Sequence, residues 1–456
     1  MTDALRTALA TGLPPDVILT DADVLAGYRH DMATFCAHGQ PAVAVRARSR
    51  EHVQHVLTVA SELGVPVVPQ GGRTGLSGGA NAVDGCIVLT LDGMDRILEI
   101  DAANRLAVVE PGVLNATLSR AVAEHGLFYP PDPSSWEIST IGGNIATDAG
   151  GLCCVKYGVT SDFVLGLEVV LGTGEVVRTG RRTVKGVAGY DLTGLVVGSE
   201  GTLGVVTEAT LSLRPAPAEP RTVAGIFPTV GAAGEAVARV VAAGLVPSLL
   251  EFMDATTIRA VNAYRNMGFP EDAGAMLVAQ SDAPGQAAAE IAGIAEIFRG
   301  CGGTDVVEAE DAAEGELLLA ARRAVHFALE PLGARLTDDV CVPRSRLADF
   351  VRAVEKVAAD VGLTIAIVGH AGDGNTHANV IFDAADSDQV RRAEEAFGEI
   401  MRIGLELGGT VTGEHGVGML KRAGLAREVG PVAMRLHEQV KRAFDPHGIL
   451  NPGKVL

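Results

Sequence analysis

Apolar residues return at Val53, Val56, Leu57, Ala60 and Leu63, a spacing of three and four that predicts an amphipathic helix. Ser49 is placed to cap its start, Glu51 sits in its first turn, and Gly64 ends it. A short β-branched strand at 66–68 follows, and further strands are predicted at 87–91, 106–109 and 205–213. The run 114–124 reads as a helix closed by Gly126. Residues 164–171 and 176–178 read as a strand pair about Gly172-Thr173-Gly174. Residues 1–45 read as a helix, a loop and an irregular stretch. Tyr129-Pro130-Pro131-Asp132-Pro133 is a rigid wall, because three prolines fix φ and remove donors.

The pattern changes after 214–220, where Pro215, Pro217 and Pro220 make a stiff, extended connector and the expected domain boundary. Beyond it, longer alanine-rich helices alternate with short strands. Helices are predicted at 231–243, 254–266, 285–298, 310–328, 347–361 and 387–407, and strands at 249–253, 275–281, 304–308 and 364–368. Such alternation predicts an α+β or α/β second domain.

Size and charge narrow the partners. A chain of 456 residues with 47% hydrophobic content can fill two or three domains. A formal net charge of −19 argues against nucleic acid, whose phosphates need a basic face, but leaves room for a local basic pocket. Residues 1–21 lack a basic-then-apolar pattern, so no signal peptide is expected. The apolar stretch 240–250 is broken by Gly244 and Pro247 and is too short to span a bilayer. The six cysteines form no C-x-x-C pair and suggest buried thiols in a reducing cytoplasm, with peripheral attachment to a membrane as the other option.

Glycine carries the first candidate chemistry. Five glycines fall among the eleven residues Pro69-Gln70-Gly71-Gly72-Arg73-Thr74-Gly75-Leu76-Ser77-Gly78-Gly79. A run of exposed N–H groups there would make a nest for an anion such as a pyrophosphate, against the alternative of an ordinary surface loop. Ser139-Thr140-Ile141-Gly142-Gly143-Asn144 with Gly150-Gly151, and the stretch from Gly198 to Gly204, are two more such segments. Three of them suggest one large phosphate-bearing ligand held from several sides. Neither a G-x-G-x-x-G after a strand nor a G-x-x-x-x-G-K-[ST] occurs.

The second half holds the other constellation. His370 and His377 stand at the ends of the glycine turn Ala371-Gly372-Asp373-Gly374, and Gly413-Glu414-His415-Gly416 lies downstream. His370, His377 and Glu414 would make a two-histidine, one-carboxylate site for Zn²⁺, Mn²⁺ or Fe²⁺, against structural histidines as the alternative. Arg322, on a predicted helix, is placed to clamp a carboxylate or simply to face solvent.

These segments, in this order and ending in Asn451-Pro452-Gly453-Lys454, resemble the FAD-linked 2-hydroxy acid dehydrogenases of the vanillyl-alcohol oxidase (para-cresol methylhydroxylase) fold. That group includes D-lactate dehydrogenase, the flavin subunit of glycolate oxidase and D-2-hydroxyglutarate dehydrogenase. The resemblance covers nearly the whole chain. It implies an α+β protein with a two-part FAD-binding domain at 1–215, an α+β substrate or cap domain with the metal site at 216–420, and a segment at 421–456 that returns to the FAD domain.

The resemblance implies FAD held without a covalent bond, and the absence of histidine from 69–79 agrees with that. Its contacts would come from Pro69, Gly71, Gly72, Arg73, Thr74, Gly75, Leu76, Ser77, Gly78, Pro131, Asp132, Ser139, Thr140, Gly142, Gly143, Asn144, Gly150, Gly151, Tyr157, Glu200, Gly201, Val206 and Asn451. The resemblance makes His370, His377 and Glu414 the ligands of a divalent metal, zinc foremost. It makes His415 the base, Arg322 the carboxylate clamp and Asn379 a substrate contact. The implied reaction is oxidation of a D-2-hydroxy acid, D-lactate first and glycolate next. Thr337 and His326 stand where hydroxyglutarate dehydrogenases use a lysine and a threonine for a second carboxylate, so that acid is the alternative. A metal-dependent hydrolase and a flavin-binding subunit without activity of its own are the readings from other classes. The electron acceptor is left open among quinone, cytochrome, electron-transfer flavoprotein and an iron–sulfur partner. The oligomeric state is open too, a homodimer being one option.

Overall fold

Helix Arg50–Leu63 forms where the spacing places it: Ser49 caps it by accepting from the His52 N–H, and Gly64 closes it in the left-handed region. Its buried face (Val53, Val56, Leu57, Ala60) shares one core with Val43, Val45, Ile87 and Leu89 of a four-stranded sheet. That sheet runs in the order Ile18–Leu19, Val43–Arg46, Ile87–Thr90, Val67–Gln70 in the computed structural model, which describes residues 2–33 and 35–456. Its three longer strands are parallel, as a strand-helix-strand crossover requires. Val170 and Val205 join the same core from a second, five-stranded antiparallel sheet. One strand of that second sheet, Ile97–Asp101, escapes the sequence pattern because its side chains are mostly half-exposed or exposed.

The chain divides into two compact units. The first comprises Met1–Gly150, Val159–Ala216 and Glu414–Leu456; the second comprises Gly151–Gly158 and Pro217–Gly413. The proline connector thus lies at a junction, and the chain's return starts at Glu414. Its end extends the four-stranded sheet: the Val67 N–H donates to Ile449 O and the Asn451 N–H to Val67 O, both at 2.8 Å. Between these points runs helix Arg422–Phe444, broken at Gly430 before Pro431, an element that the apolar pattern did not disclose.

The second unit is built on one antiparallel sheet. Its order is Thr304–Glu308, Arg221–Phe227, Ala275–Ser281, Leu249–Asp254, Thr364–His370, Asn375–Phe382, Ala334–Thr337, with Val340–Cys341 also on Asn375–Phe382. Register places Glu251 opposite His370, Val368 opposite His377, and Thr337 opposite Asn379. Residues opposite one another or two apart share a face, so Glu251, His370, His377, Asn379 and Thr337 all project from one side. Helix Ala312–Leu329 packs on that side through Leu319, Ala321, Ala324, Val325 and Ala328, against Val368, Ala366 and Ile381.

Candidate active site

In the first unit, strand Val67–Gln70 delivers the chain into the glycine stretch, which is fastened at several points. Gln70 Nε2 donates to Tyr28 O and to Ala80 O, at 2.9 and 2.8 Å. Met32 N–H donates to Gly75 O, and the Asp31 carboxylate accepts from the Ala33 and Ala80 N–H groups. Arg73 takes positive φ (55°), and its guanidinium lies 4.8 Å over the Tyr28 ring. A cavity of about 360 Å³ opens beside this loop, lined in part by Gly71, Gly72, Arg73, Asp92, Ile138 and Thr140. Gly72 is required here, because a Cβ would stand 2.5 Å from Ile138 O.

The second glycine segment is not a loop. Gly142 and Gly143 lie in the first turn of helix Ile141–Thr147, where Thr140 caps by accepting from the Gly143 N–H. Ser139 Oγ, Asn144 Nδ2, Gln70 Oε1 and Asn451 Oδ1 are buried with no hydrogen-bond partner in the protein. Buried polar atoms are rarely left so, and four of them about one glycine cradle suit a large polar ligand such as a nucleotide.

Four residues expected at the cofactor also make hydrogen bonds within the protein. Glu200 gives its N–H to Ala146 O, its carbonyl to Asn451 Nδ2, and its carboxylate to the Val417 and Gly418 N–H groups at 2.7 and 2.9 Å. Burial pushes that carboxyl up to about 7, against the pull of the Gly418 and Val417 N–H groups. Glu200 is therefore a positioning residue for the turn that follows Glu414-His415. Ser77 fastens the same turn, its Oγ donating to His415 O at 3.2 Å and to Gly416 O at 2.8 Å. Asn451 spends Nδ2 on Gly79 O and Glu200 O. Tyr157 belongs to the second unit, where its hydroxyl donates to Asp282 at 2.7 Å, beside the Lys156 ammonium on the same carboxylate. Elsewhere in the first unit, Asn115 Nδ2 donates to Pro131 O, which fixes the proline wall, and Val206 is buried in strand Val205–Ser212. Glu414 Oε1 lies 3.7 Å from His415 Nε2.

In the second unit, His370 ends strand Thr364–His370, and a tight turn brings the chain back into Asn375–Phe382, which carries His377. The two Nε2 atoms stand 3.3 Å apart and both rings are buried. His370 Nδ1 lies 2.8 Å from Glu251 Oε1, a contact that puts a proton on Nδ1 and, in the neutral ring, leaves the lone pair on Nε2. Glu251 Oε2 accepts from Arg322 Nε at 2.7 Å. Burial alone would raise the Glu251 carboxyl; His370 and then Arg322 more than offset it and hold it below the usual range. Two imidazole nitrogens on one tetrahedral cation, each about 2.0–2.1 Å from it, would stand about 3.3 Å apart. The pair therefore fits a divalent ion.

His377 Nδ1 lies 3.7 Å from Asp339 Oδ1, and Asp339 Oδ2 accepts from Thr412 Oγ1 at 2.7 Å and from the Gly413 N–H at 3.0 Å. Arg322 makes no further hydrogen bond among the described residues, which leaves its terminal nitrogens for a ligand. Asn379, expected to touch substrate, gives both N–H groups to Ala366 O and His377 O and accepts from Thr337 Oγ1. Its amide holds the strand and the Thr337 hydroxyl. Glu251 and Asp339 were missed on the sequence. An acid inside the apolar run Leu249-Leu250-Glu251-Phe252-Met253 was the available signal for the first.

Comparison with known proteins separates the chain at the proline connector. Residues 41–180 match the family described as "FAD binding domain", and residues 216–455 match "FAD linked oxidases, C-terminal domain". The glycolate oxidase subunit GlcD of Bacillus subtilis (strain 168) is 43% identical over 430 residues, which are 94% of this chain and 91% of that protein. A D-lactate dehydrogenase of Anaerostipes hadrus is 34% identical over 453 residues, 97% of this chain and 95% of that one. The crystal structure of p-cresol methylhydroxylase with substrate bound superposes with a TM-score of 0.82 at 20% identity, over 99% of this chain and 96% of that chain, a likeness of fold.

Proposed function

The chain belongs to the FAD-linked oxidases, and on that footing we propose that it oxidises a D-2-hydroxy acid to the 2-oxo acid, D-lactate ahead of glycolate. The observation that carries this reading is the His370–His377 pair, backed by Glu251 and Arg322. FAD, bound without a covalent link, would supply the two-electron sink for the hydrogen at C2. Its holders are the 69–79 loop, Pro131, Ser139, the first turn of helix Ile141–Thr147 and Val206.

His370, His377 and Glu414 would hold a divalent ion, zinc foremost, and it would supply a positive charge that lowers the pKa of a hydroxyl beside it. Arg322 takes the substrate carboxylate on its terminal nitrogens, since Glu251 fixes Nε and so aims the guanidinium. His415 accepts the hydroxyl proton, with its main chain pinned by Ser77. Glu251 keeps the His370 proton on Nδ1, so that Nε2 stays a ligand. Thr337, bound to Asn379, stands where a second carboxylate would want a lysine, and this favours a monocarboxylate. A hydrolase at the same histidines would leave the FAD binding domain without a role.

The decisive experiment is a dye-linked screen of D- and L-2-hydroxy acids on the purified protein, with chelator and metal add-back. Dye reduction by D-lactate or glycolate, lost on chelation and restored by one metal, is the expected result. A protein without flavin absorbance, or turnover indifferent to the chelator, would overturn the reading.

A further inference from the structure

Strand Val176–Gly180 leaves its sheet at Gly180, whose φ of 77° and closeness to Leu165 O, 2.1 Å from a would-be Cβ, exclude any side chain. The loop that follows, Arg181 to Tyr190, projects Val184, Val187 and Tyr190 with 93, 99 and 95% of their surface exposed. They are the most exposed large apolar residues of the described chain, and they recur every three residues. Residues 176–190 also carry Arg178, Arg181, Arg182 and Lys185 and no acid, in a chain whose formal net charge is −19.

At the foot of the loop a cavity of about 180 Å³ is lined by Arg178, Arg181 and Arg182 together with Glu168 and Glu208. Arg178 is paired with both glutamates and Arg182 with Glu99. Arg181 donates Nε to Thr183 O and makes no ion pair among the described residues.

We propose that the Arg181–Tyr190 loop is a membrane-docking element that seats on an anionic phospholipid surface. Val184, Val187 and Tyr190 enter the interfacial layer, and Arg181 and Lys185 meet lipid phosphates. Charge complementarity selects an anionic surface, since Arg181 and Lys185 sit beside the apolar tip and make no ion pair among the described residues. Shape selects lipid over a folded protein. Three isolated side chains at a projecting tip offer far less than the roughly 800 Å² per partner of a stable protein interface, but they suit shallow insertion with a tyrosine at headgroup depth. No helix of the described residues is long and apolar enough to cross a membrane, so attachment would be peripheral.

The test is flotation of the full-length, flavin-loaded protein with vesicles of phosphatidylcholine alone or mixed with phosphatidylglycerol, at low and high salt. The wild-type chain is expected to float with the anionic vesicles only and to be released by salt. V187D and Y190D are expected to weaken that binding roughly tenfold or more, and R181Q/K185Q to weaken it and flatten its salt dependence, with dye-linked turnover in vesicle-free buffer unchanged. Equal flotation with neutral vesicles, no flotation with either, or tip variants that bind like wild type would each overturn the proposal. So would loss of reduction of a protein acceptor in V187D without any vesicle binding, which would place a polypeptide on this loop instead.

Discussion

At the scale of single residues, the site is a matter of protons kept on particular atoms. Glu251 reaches His370 across 119 residues of sequence and leaves Nε2 with its lone pair. Removing its charge frees the ring and leaves Arg322 without its buried counter-ion. Partners that orient a metal-bound histidine typically matter 10–100-fold in affinity, so Glu251→Gln is expected to weaken metal binding by about that factor, read by competition with a chelating dye. Unchanged affinity would show that the His370 ring needs no orienting partner. His415 makes a different prediction. His415→Ala should abolish bleaching of the flavin by D-lactate while the bound flavin stays at full occupancy, because the fastening of that turn runs through the His415 main chain, Ser77 and Glu200. Normal bleaching in that variant would mean the base lies elsewhere.

At the scale of elements, legibility follows from how local the cause is. Helices Arg50–Leu63 and Leu347–Val361 and strands Ala275–Ser281 and Thr304–Glu308 lie where spacing and caps put them. Strand Asn375–Phe382 did not announce itself, because Asn375, Thr376, His377 and Asn379 are polar residues buried by register against Thr364–His370. Helix Arg422–Phe444 is mostly exposed and interrupted at Gly430-Pro431, so it lacks a sustained apolar stripe. The glycine cradle and the histidine pair were visible as composition, whereas Glu251, Asp339 and the inward turn of Glu200 are products of pairings far apart in sequence.

Glu200 gives this scale its prediction. Its carboxyl titrates near 4.5 in the unfolded chain and about 7 in the folded one. Between these values the folded state holds the extra proton, so stability is full below 4.5, falls as pH rises to about 7, and is level above. That span amounts to about 3 kcal/mol. Glu200→Gln keeps an acceptor for the Val417 and Gly418 N–H groups and should flatten the urea-stability curve across this window. Parallel curves for variant and wild type would refute the assignment.

For the whole molecule, the decisive feature is that three stretches far apart in the chain meet in the first unit. Asn451 takes positive φ (42°), and from there its Nδ2 donates to Gly79 O at 2.9 Å and to Glu200 O at 2.7 Å, while its N–H donates to Val67 O. The first glycine stretch, the third glycine stretch and the chain's end are thus tied by one amide. Lys454 adds a second tie, its buried ammonium donating to Asn81 O at 2.8 Å. Truncating the amide leaves two carbonyls without their donor, each costing about 1–3 kcal/mol if buried. Asn451→Ala is therefore expected to lower the stability of the first unit by about 2–5 kcal/mol and to weaken flavin retention, because the cradle is held open by these ties. Hydrogen exchange separates this from general damage. Amides of Val67–Gln70 and Ile87–Thr90 should exchange faster, whereas those of Ala275–Ser281 and Asn375–Phe382, which have a core of their own, should keep wild-type protection. Uniform loss of protection across both sets would mean that the return of the chain stabilises more than the unit it closes.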